Sequence, residues 1–354
     1  MDYSRREVWM TSKRRFLSGL FGGRVDRPPV GNPTSVATKE LMEMTGAFFP
    51  EAHLDPEKMA RLAAGGYEIL GYDTIMPVFS VQQEAAALGC EIDWGNPDMM
   101  PDAKTHPWSS ADEVRIPPDF LEHPAIACVL EALSILRHEY GDRVAIVGKV
   151  FGPWTLAYHV CGVQEFLIKT ILDPDDVRRF LDRLERVTIL FGKAQIEAGA
   201  DVLCLPDHVT GDLVNPKMYR DFLLPVHREL TQEIGCPLIL HCCGNTLDRL
   251  EYFVAAGFDC YHFESAVDAT RAKEMVGDRM SLIGNINAPQ TLLSGQPEEV
   301  KKEALYAWEA GVEILAPECA VPTATPNANL AAIAELARGL GPKEPERPAS
   351  EGSL

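Results

Sequence analysis

A histidine followed directly by two cysteines occurs in the stretch "LILHCCGNT", residues 238–246. Imidazole nitrogen and thiolate sulfur are donors that zinc favours in proteins. His241 and Cys243 are separated by one residue, which suits two ligands on one strand, although two ligands do not make a site. Cys319, at the end of another apolar run, would complete a set of one nitrogen and two sulfurs. Three such ligands leave a fourth position open, as catalytic zinc requires.

Either of the two adjacent cysteines, Cys242 or Cys243, could be the ligand that accompanies His241. Side chains along a strand alternate between its faces, so His241 shares a face with Cys243 and not with Cys242. We therefore expect Cys243 to be the ligand and Cys242 to pack outward. Spacing alone leaves other interpretations open: His241 as a buried core histidine, Cys319 as an inert buried thiol, or a strained disulfide between Cys242 and Cys243.

The composition of the chain argues against several classes of partner. It has 354 residues, with 52 acidic and 33 basic side chains and a net charge of −19. A surface this negative repels phosphate backbones and anionic lipids, so we expect no nucleic-acid partner and no membrane partner. No run approaches 18 apolar residues and no segment resembles an export signal, so we expect a cytoplasmic protein. Its nine cysteines are then reduced thiols, most of them core residues.

Eight short β-rich runs alternate with helical patterns along almost the whole chain. Several runs are nearly continuously apolar, as parallel strands covered on both faces should be. Helix signals separate them; Asp173-Pro174, for example, precedes a helical period that ends at Gly199. The alternation predicts a (β/α)8 TIM barrel, and no Gly-rich phosphate loop supports the competing doubly wound sheet. The predicted strands are 29–32, 72–79, 144–151, 201–207, 237–243, 260–265, 281–287 and 313–319.

The barrel is predicted to be a single domain, residues 1–341. The long gap between the second and third strands, about 80–143, is predicted to hold an insertion with one helix near 124–139. Residues 342–354, "PKEPERPASEGSL", are polar and proline-rich, and we expect them to form a disordered tail.

Polar side chains fall at the C-terminal ends of the predicted strands, where the active sites of such barrels lie. Besides the possible metal ligands, Asp207, Glu264 and Asn285 occupy such ends, and we predict them as catalytic residues. Asp207 would form hydrogen bonds or accept a proton, Glu264 would be a fourth metal ligand before substrate binds, and Asn285 would orient substrate. The alternatives are a helix cap for Asp207, a salt-bridge partner for Glu264 and a turn residue for Asn285.

Longer segments carry a further signal, among them "VDRPPVG", "TGAFFPEAHLDPEKMARLA", "GADVLCLPD", "LIGNINAPQTLLSGQPEEV" and "ILAPECAVPTATPNANL". Together with "LILHCCGNT" they resemble the uroporphyrinogen decarboxylase superfamily over about residues 11–340. Within it, the chain looks most like the zinc-dependent methylcobalamin:coenzyme M methyltransferases. The resemblance implies the barrel fold and a zinc ion held by a His-x-Cys pair and a distant Cys, here His241, Cys243 and Cys319. The acidic residue of that family falls at Glu264.

The resemblance also implies an activity. It indicates a zinc-dependent methyltransferase that moves a methyl group between a methylated corrinoid (cobalamin) protein and a small thiol such as coenzyme M. The corrinoid would be a co-substrate on a partner protein, because no cobalamin module with a "DxHxxG" signature is present. The alternative is demethylation of a methylated thiol, amine or methoxy substrate onto Co(I). A decarboxylase-type lyase is disfavoured, because the arginine-rich loop of the type "MRQAGRY" is absent.

Overall fold

A computed structural model describes residues 10–341 of the chain. The predicted disordered tail, 342–354, lies outside the described residues. Seven parallel strands form one curled sheet, in the order β1, β4, β5, β6, β7, β8, β9. These strands are β1 (Thr74–Ile75), β4 (Ala145–Lys149), β5 (Val202–Pro206), β6 (Leu238–Cys242), β7 (Cys260–Phe263), β8 (Ser281–Ile286) and β9 (Ile314–Pro317), and a separate antiparallel pair is formed by β2 (Ile92–Asp93) and β3 (Asp102–Ala103).

The barrel closes through a single residue, Val30, where the sequence predicted a first strand over 29–32. Val30 forms a parallel bridge with Leu315 of β9, and Gly31 N donates to Leu315 O at 3.1 Å. On its other side, Asp73 N, just before β1, donates to Val30 O at 2.6 Å. Pro29 lacks an N–H to donate, so pairing cannot extend into a full strand. A Cβ at Gly31 would lie 2.6 Å from Thr74 Oγ1, so glycine permits this close approach.

Seven of the eight predicted strands are present in the sheet, and all seven end earlier than expected. β5 ends at Pro206, β6 at Cys242, β7 at Phe263 and β9 at Pro317. The residues singled out for chemistry therefore mostly begin the loops after the strands. Those loops start at the same edge of the barrel, because all the strands of the sheet run parallel.

Helices cover the outside of the sheet and bury their apolar faces against it. The predicted helix after Asp173 is α8, whose first turn is capped by the Asp173 side chain accepting from Asp176 N at 3.1 Å. The helices are α1 (Ser12–Leu20), α2 (Lys39–Thr45), α3 (Pro56–Glu68), α4 (Gln83–Ala87), α5 (Pro124–Tyr140), α6 (Pro153–Cys161), α7 (Val163–Leu172), α8 (Pro174–Ala198), α9 (Pro216–Met218), α10 (Leu224–Glu233), α11 (Leu250–Ala256), α12 (Ala269–Val276), α13 (Pro297–Glu309) and α14 (Asn327–Gly339). No helix in 10–341 is both long and apolar enough to span a bilayer.

The predicted insertion holds more structure than one helix. α5 matches the expected helix, but the β2–β3 pair, α4 and two short 3₁₀ turns precede it. Each strand of the pair has two residues, too short for an alternating apolar pattern to show in the sequence.

His53 is a buried polar residue in the loop region above the barrel. It is fully buried, its ring stacks on Phe49 with centroids 4.0 Å apart, and neither ring nitrogen has a hydrogen-bond partner among the described residues. Burial lowers the pKa of His53 to about 3, and the positive charge of Lys149 lowers it further. The folded protein therefore holds this imidazole neutral at pH values where an exposed histidine is charged.

This neutral histidine predicts an acid-sensitive contribution to stability. The unfolded His53 binds a proton below about pH 6.5 and the folded one does not, so stability falls as pH falls from there towards 3. In His53→Phe, the free energy of unfolding should depend less steeply on pH between about pH 4 and pH 6, by up to about 1.4 kcal/mol per pH unit. Urea denaturation across that range measures the slope. The exposed His138→Phe should keep the wild-type slope; equal slopes in both variants would contradict the prediction.

Candidate metal centre

His241, Cys243 and Cys319 converge at the mouth of the barrel. His241 Nε2 lies 3.2 Å from Cys243 Sγ and 3.4 Å from Cys319 Sγ, and the two sulfurs are 3.7 Å apart. Among residues 10–341, this is the group of His, Cys, Asp or Glu side chains whose potential ligand atoms come together closely enough for one ion. His241 is buried, whereas both cysteines are partly exposed, so the group opens towards solvent on the sulfur side.

These separations fit a tetrahedral zinc ion. With Zn–N bonds of about 2.05 Å and Zn–S bonds of about 2.3 Å, a nitrogen and a sulfur ligand lie about 3.6 Å apart and two sulfurs about 3.8 Å apart. The three measured distances are within a few tenths of an ångström of these values. One imidazole and two sulfurs are also a donor set that suits zinc better than magnesium or calcium.

The imidazole of His241 is oriented by a second contact. Its Nδ1 lies 3.2 Å from the backbone oxygen of His262 in β7, a position in which Nδ1–H donates. Nε2 is then unprotonated and free to bind a metal. His262 Nε2 in turn donates to Pro317 O at 2.7 Å, which ties β7 to the end of β9. These two hydrogen bonds thus fix the position of His241 relative to the end of β9, which precedes Cys319.

The two thiols are close enough to form a hydrogen bond with each other. The hydrogen bond with Cys243 lowers the pKa of Cys319 well below its usual value. The same hydrogen bond, together with burial, raises the pKa of Cys243. Two sulfurs so close together favour a cation between them, which would stabilise both as thiolates.

Cys242 lies apart from this group, as strand alternation predicted. Its side chain is fully buried on the outer face of β6, and burial raises its pKa. Among the charged groups that act on it are Arg249 and Asp207, on the helix side of the sheet.

Asp207 also faces outward, away from the three potential ligands. Its Oδ1 accepts from Thr155 N at 2.7 Å and from Thr155 Oγ1 at 2.9 Å, and its Oδ2 lies 3.0 Å from His227 Nε2. Tyr219 OH lies 2.8 Å from the other nitrogen of His227, so the network is buried and satisfied. A Cβ at Gly152 would lie only 2.2 Å from Asp207 Cγ. These contacts anchor the start of α6, and a catalytic role for Asp207 stays a prediction.

Glu264 and Asn285 occupy the inner side of the mouth. Glu264 is half-buried at the end of β7, and its Oε2 accepts from Gly244 N, next to Cys243, at 2.8 Å. It does not belong to the group whose ligand atoms lie within 4.8 Å of one another. Asn285 is buried in β8 and donates from Nδ2 to Val267 O at 3.0 Å. Both remain predicted catalytic residues. Glu264 contacts the residue next to Cys243, whereas Asn285 contacts the loop after β7.

Sequence analysis missed His208, which follows Asp207. In the register of the sheet, Pro206 pairs with His241, so Pro206 and then His208 share the inner face. Burial lowers the pKa of His208, whose ring lies close enough to His241 and Cys319 to interact with both. The alternation that selected Cys243 over Cys242 would have selected His208 over Asp207, had the register been known.

Glu318 is a second residue that the sequence did not reveal. Its Oε2 accepts from Ser265 N and Ser265 Oγ, at 2.8 and 2.6 Å, and its Oε1 accepts from Ala288 N at 2.7 Å. It therefore joins the loops after β7 and β8 to the residue that precedes Cys319.

The chain is similar to known proteins in both sequence and structure. A family model described as uroporphyrinogen decarboxylase (URO-D) matches residues 11–340. The chain is 36% identical over 325 residues to the methylated-thiol–coenzyme M methyltransferase of Methanosarcina mazei, covering 91% of this chain and 88% of that protein. It is 36% identical over 326 residues to the methylcobamide:CoM methyltransferase MtaA of Methanosarcina barkeri, covering 91% and 96%. A solved structure of a methyltransferase from Methanosarcina mazei matches with a TM-score of 0.91 at 34% identity, covering 94% and 99%.

The chain belongs to the uroporphyrinogen decarboxylase family. Within the uroporphyrinogen decarboxylase family it is more similar to these methyltransferases than to a decarboxylase of Coxiella burnetii, which is 28% identical over 367 residues. A B12-independent methionine synthase from Shewanella, at 14% identity and a TM-score of 0.59, shares the fold. The resemblance, the barrel fold class and the class of methyltransferase expected from the sequence are confirmed.

The network around Asp207 predicts a large effect on stability. Asp207→Ala would leave buried donors of Thr155 and His227 unpaired, so we expect it to lower the free energy of unfolding by about 3 kcal/mol. Asp212→Ala, at an exposed position nearby, should change it by less than about 0.5 kcal/mol. Urea denaturation measures both. If the two variants were equally stable, the anchoring role of Asp207 would be wrong.

Proposed function

We propose that this protein is a zinc-dependent methyltransferase that moves a methyl group between a methylated corrinoid protein and a small thiol of the coenzyme M type. The observation that carries the proposal is the convergence of one imidazole nitrogen and two sulfurs at the mouth of the barrel. The names of the relatives, which include methylcobamide and coenzyme M, support the same substrates.

The protein would hold the ion through His241 Nε2, Cys243 Sγ and Cys319 Sγ. A zinc ion bound there supplies Lewis acidity, which favours the thiolate form of a thiol that occupies the open position. His241 is kept in the metal-binding tautomer by its Nδ1–H contact with His262 O. The half-buried Glu264, fixed by Gly244 N, is our candidate for accepting the proton that the thiol loses. Two thiolate ligands balance the charge of the ion, so the substrate sulfur keeps its nucleophilicity.

In the proposed reaction a second protein carries the methylated corrinoid and would dock at the mouth of the barrel. The substrate sulfur attacks the methyl carbon, the cobalt–carbon bond breaks, and its electron pair stays with cobalt as Co(I). Exposed apolar side chains occupy the segments that follow the strand ends and support a macromolecular partner there. In α7, which follows β4, the side chains of Ile171 and Leu172 are 81% and 77% exposed. A corrinoid protein docked on this side would bring its cobalt over the metal group.

Transfer in the opposite direction is a second candidate function. The relative from Methanosarcina mazei is named a methylated-thiol–coenzyme M methyltransferase, which implies that a methylated thiol can be the donor in this family. The same metal group would serve, because a methylated sulfur is also a soft ligand for zinc.

Metal content tests the proposed ligands. Purified protein should carry about one zinc ion per chain, and His241→Ala, Cys243→Ala and Cys319→Ala should each lose most of it, because two ligands bind zinc much more weakly than three. Cys242→Ala is the matched control and should retain the ion, because its sulfur faces the helices. Elemental analysis of the folded variants measures the result. Zinc loss in Cys242→Ala, or wild-type protein without zinc after zinc loading, would refute this assignment.

The direction of transfer is tested with free cofactors. With methylcobalamin and 2-mercaptoethanesulfonate, the zinc-loaded protein should produce cob(I)alamin, which is followed by its absorption under anaerobic conditions. The Cys243→Ala variant should be slower by at least about 100-fold. No turnover here, combined with methylation of cob(I)alamin by a methylated thiol, would favour the second candidate function.

A further inference from the structure

The inner face of the barrel carries a buried cation that does not belong to the three proposed metal ligands, His241, Cys243 and Cys319. Lysine and arginine side chains are buried at three positions among residues 10–341: Arg15, Lys149 and Arg249. Arg15 is held by two carboxylates, and Arg249 by one carboxylate and two backbone carbonyl groups. Lys149 has neither arrangement.

The ammonium group of Lys149 has few partners. Its side chain is 2% exposed, and Nζ donates to Thr34 O at 2.9 Å and lies 5.5 Å from the centre of the Phe151 ring. No carboxylate among the described residues lies within 4.0 Å of it. An ammonium has three N–H donors, so two of them remain unused. A buried charge with no carboxylate in direct contact is costly, so the unused donors favour an anionic ligand.

Glu84 is the neighbouring acid, and its charge raises the pKa of Lys149, but the two side chains form no ion pair. Its Oε1 accepts from Phe151 N at 3.0 Å, while its Oε2 has no partner among the described residues. Burial raises the pKa of Glu84 to about 7, so a large part of it is uncharged near neutral pH. Burial also lowers the pKa of Lys149, to about 8, which leaves most of the lysine protonated at neutral pH.

The position of Lys149 connects it to the metal group. It pairs with Cys204 of β5, and Cys204 pairs with Ile239 of β6, which lies one inward residue before His241. Lys149 therefore projects from the inner face, just below the proposed ligands.

Hydrogen bonds lead from the ammonium group to the backbone of a proposed ligand. Lys149 Nζ donates to Thr34 O, Thr34 N and Oγ1 donate to Asn32 Oδ1, and Asn32 Nδ2 donates to Cys319 O at 2.9 Å.

We propose that Lys149 binds the acidic group of the thiol substrate, so that the substrate is a short thiol with a sulfonate or carboxylate near its sulfur. The sulfur would occupy the open position at His241, Cys243 and Cys319, and the acidic group would accept the unused N–H donors of Lys149. This inference rests on the proposed function, and it assigns the specificity for an anionic thiol to one residue.

Calorimetric titration of the zinc-loaded protein tests the assignment. The probes are 2-mercaptoethanesulfonate, 3-mercaptopropionate and the neutral 2-mercaptoethanol. The wild type should bind at least one of the two anionic thiols about 10- to 100-fold more tightly than the neutral one, as expected for a hydrogen bond to a charged group. The tighter of the two anions then identifies the acidic group. Lys149→Met should bind all three with similar affinity, while its affinity for the neutral thiol stays within about threefold of wild type.

Two controls test whether the effect is specific to Lys149 and whether the variant is folded. Lys217→Met removes an exposed lysine and should keep the preference of the wild type. Zinc content and circular dichroism establish that Lys149→Met is loaded and folded, and Lys149→Gln replaces it if it is not.

The outcomes separate the two proposals. Equal binding of charged and neutral thiols by the wild type, or equal weakening of all three probes in the lysine variant, would overturn the role of Lys149 and leave the methyltransferase proposal intact. If the zinc-loaded wild type bound no thiol at all, the proposed function would fail, and the role of Lys149 would fail with it.

Discussion

The curvature of the sheet is the constraint on which the metal group depends. Two strands, β7 and β8, lie between β6 and β9. In a flat sheet with strands about 4.8 Å apart, the ends of β6 and β9 would be about 14 Å apart, beyond the reach of short side chains. In the barrel, Cys319 Sγ lies 3.4 Å from His241 Nε2. The closing segment at Val30 therefore helps to position the proposed ligands, and Asn32, two residues later, donates to the carbonyl of Cys319.

Strand alternation made part of the site predictable from the sequence. It separates Cys243 from Cys242 without knowledge of the neighbouring strands, because the two cysteines are adjacent within one predicted strand, 237–243. Choosing between Asp207 and His208 requires the register of β5 against β6, which depends on long-range pairing that no local pattern encodes. The predicted faces of Cys242 and Cys243 therefore agree with the structure, whereas Asp207, whose choice required two strands to be aligned, faces outward.

Local sequence also limited what could be known of the fold. The apolar runs and helix signals predicted the barrel and the main helices, because their periods extend over many residues. The segment at Val30 pairs through one residue, and the β2–β3 pair has strands of two, so neither has a period to detect. A lysine within the apolar run 144–151 is visible in the sequence, but the absence of a carboxylate beside Lys149 is visible only in three dimensions.

The contacts of Glu318 have a consequence for how such a protein can change. Because Glu318 fixes the backbone at Ser265 and Ala288, an insertion or deletion in either loop would displace the neighbouring sulfur of Cys319. Glu318 makes no such contact with the connections after β1 and β4, residues 76–144 and 150–201, which already hold the β2–β3 pair and α7. The connections after β1 and β4 can therefore vary and acquire new binding properties. The loops after β7 and β8 are constrained, because they hold the proposed ligand atoms in place.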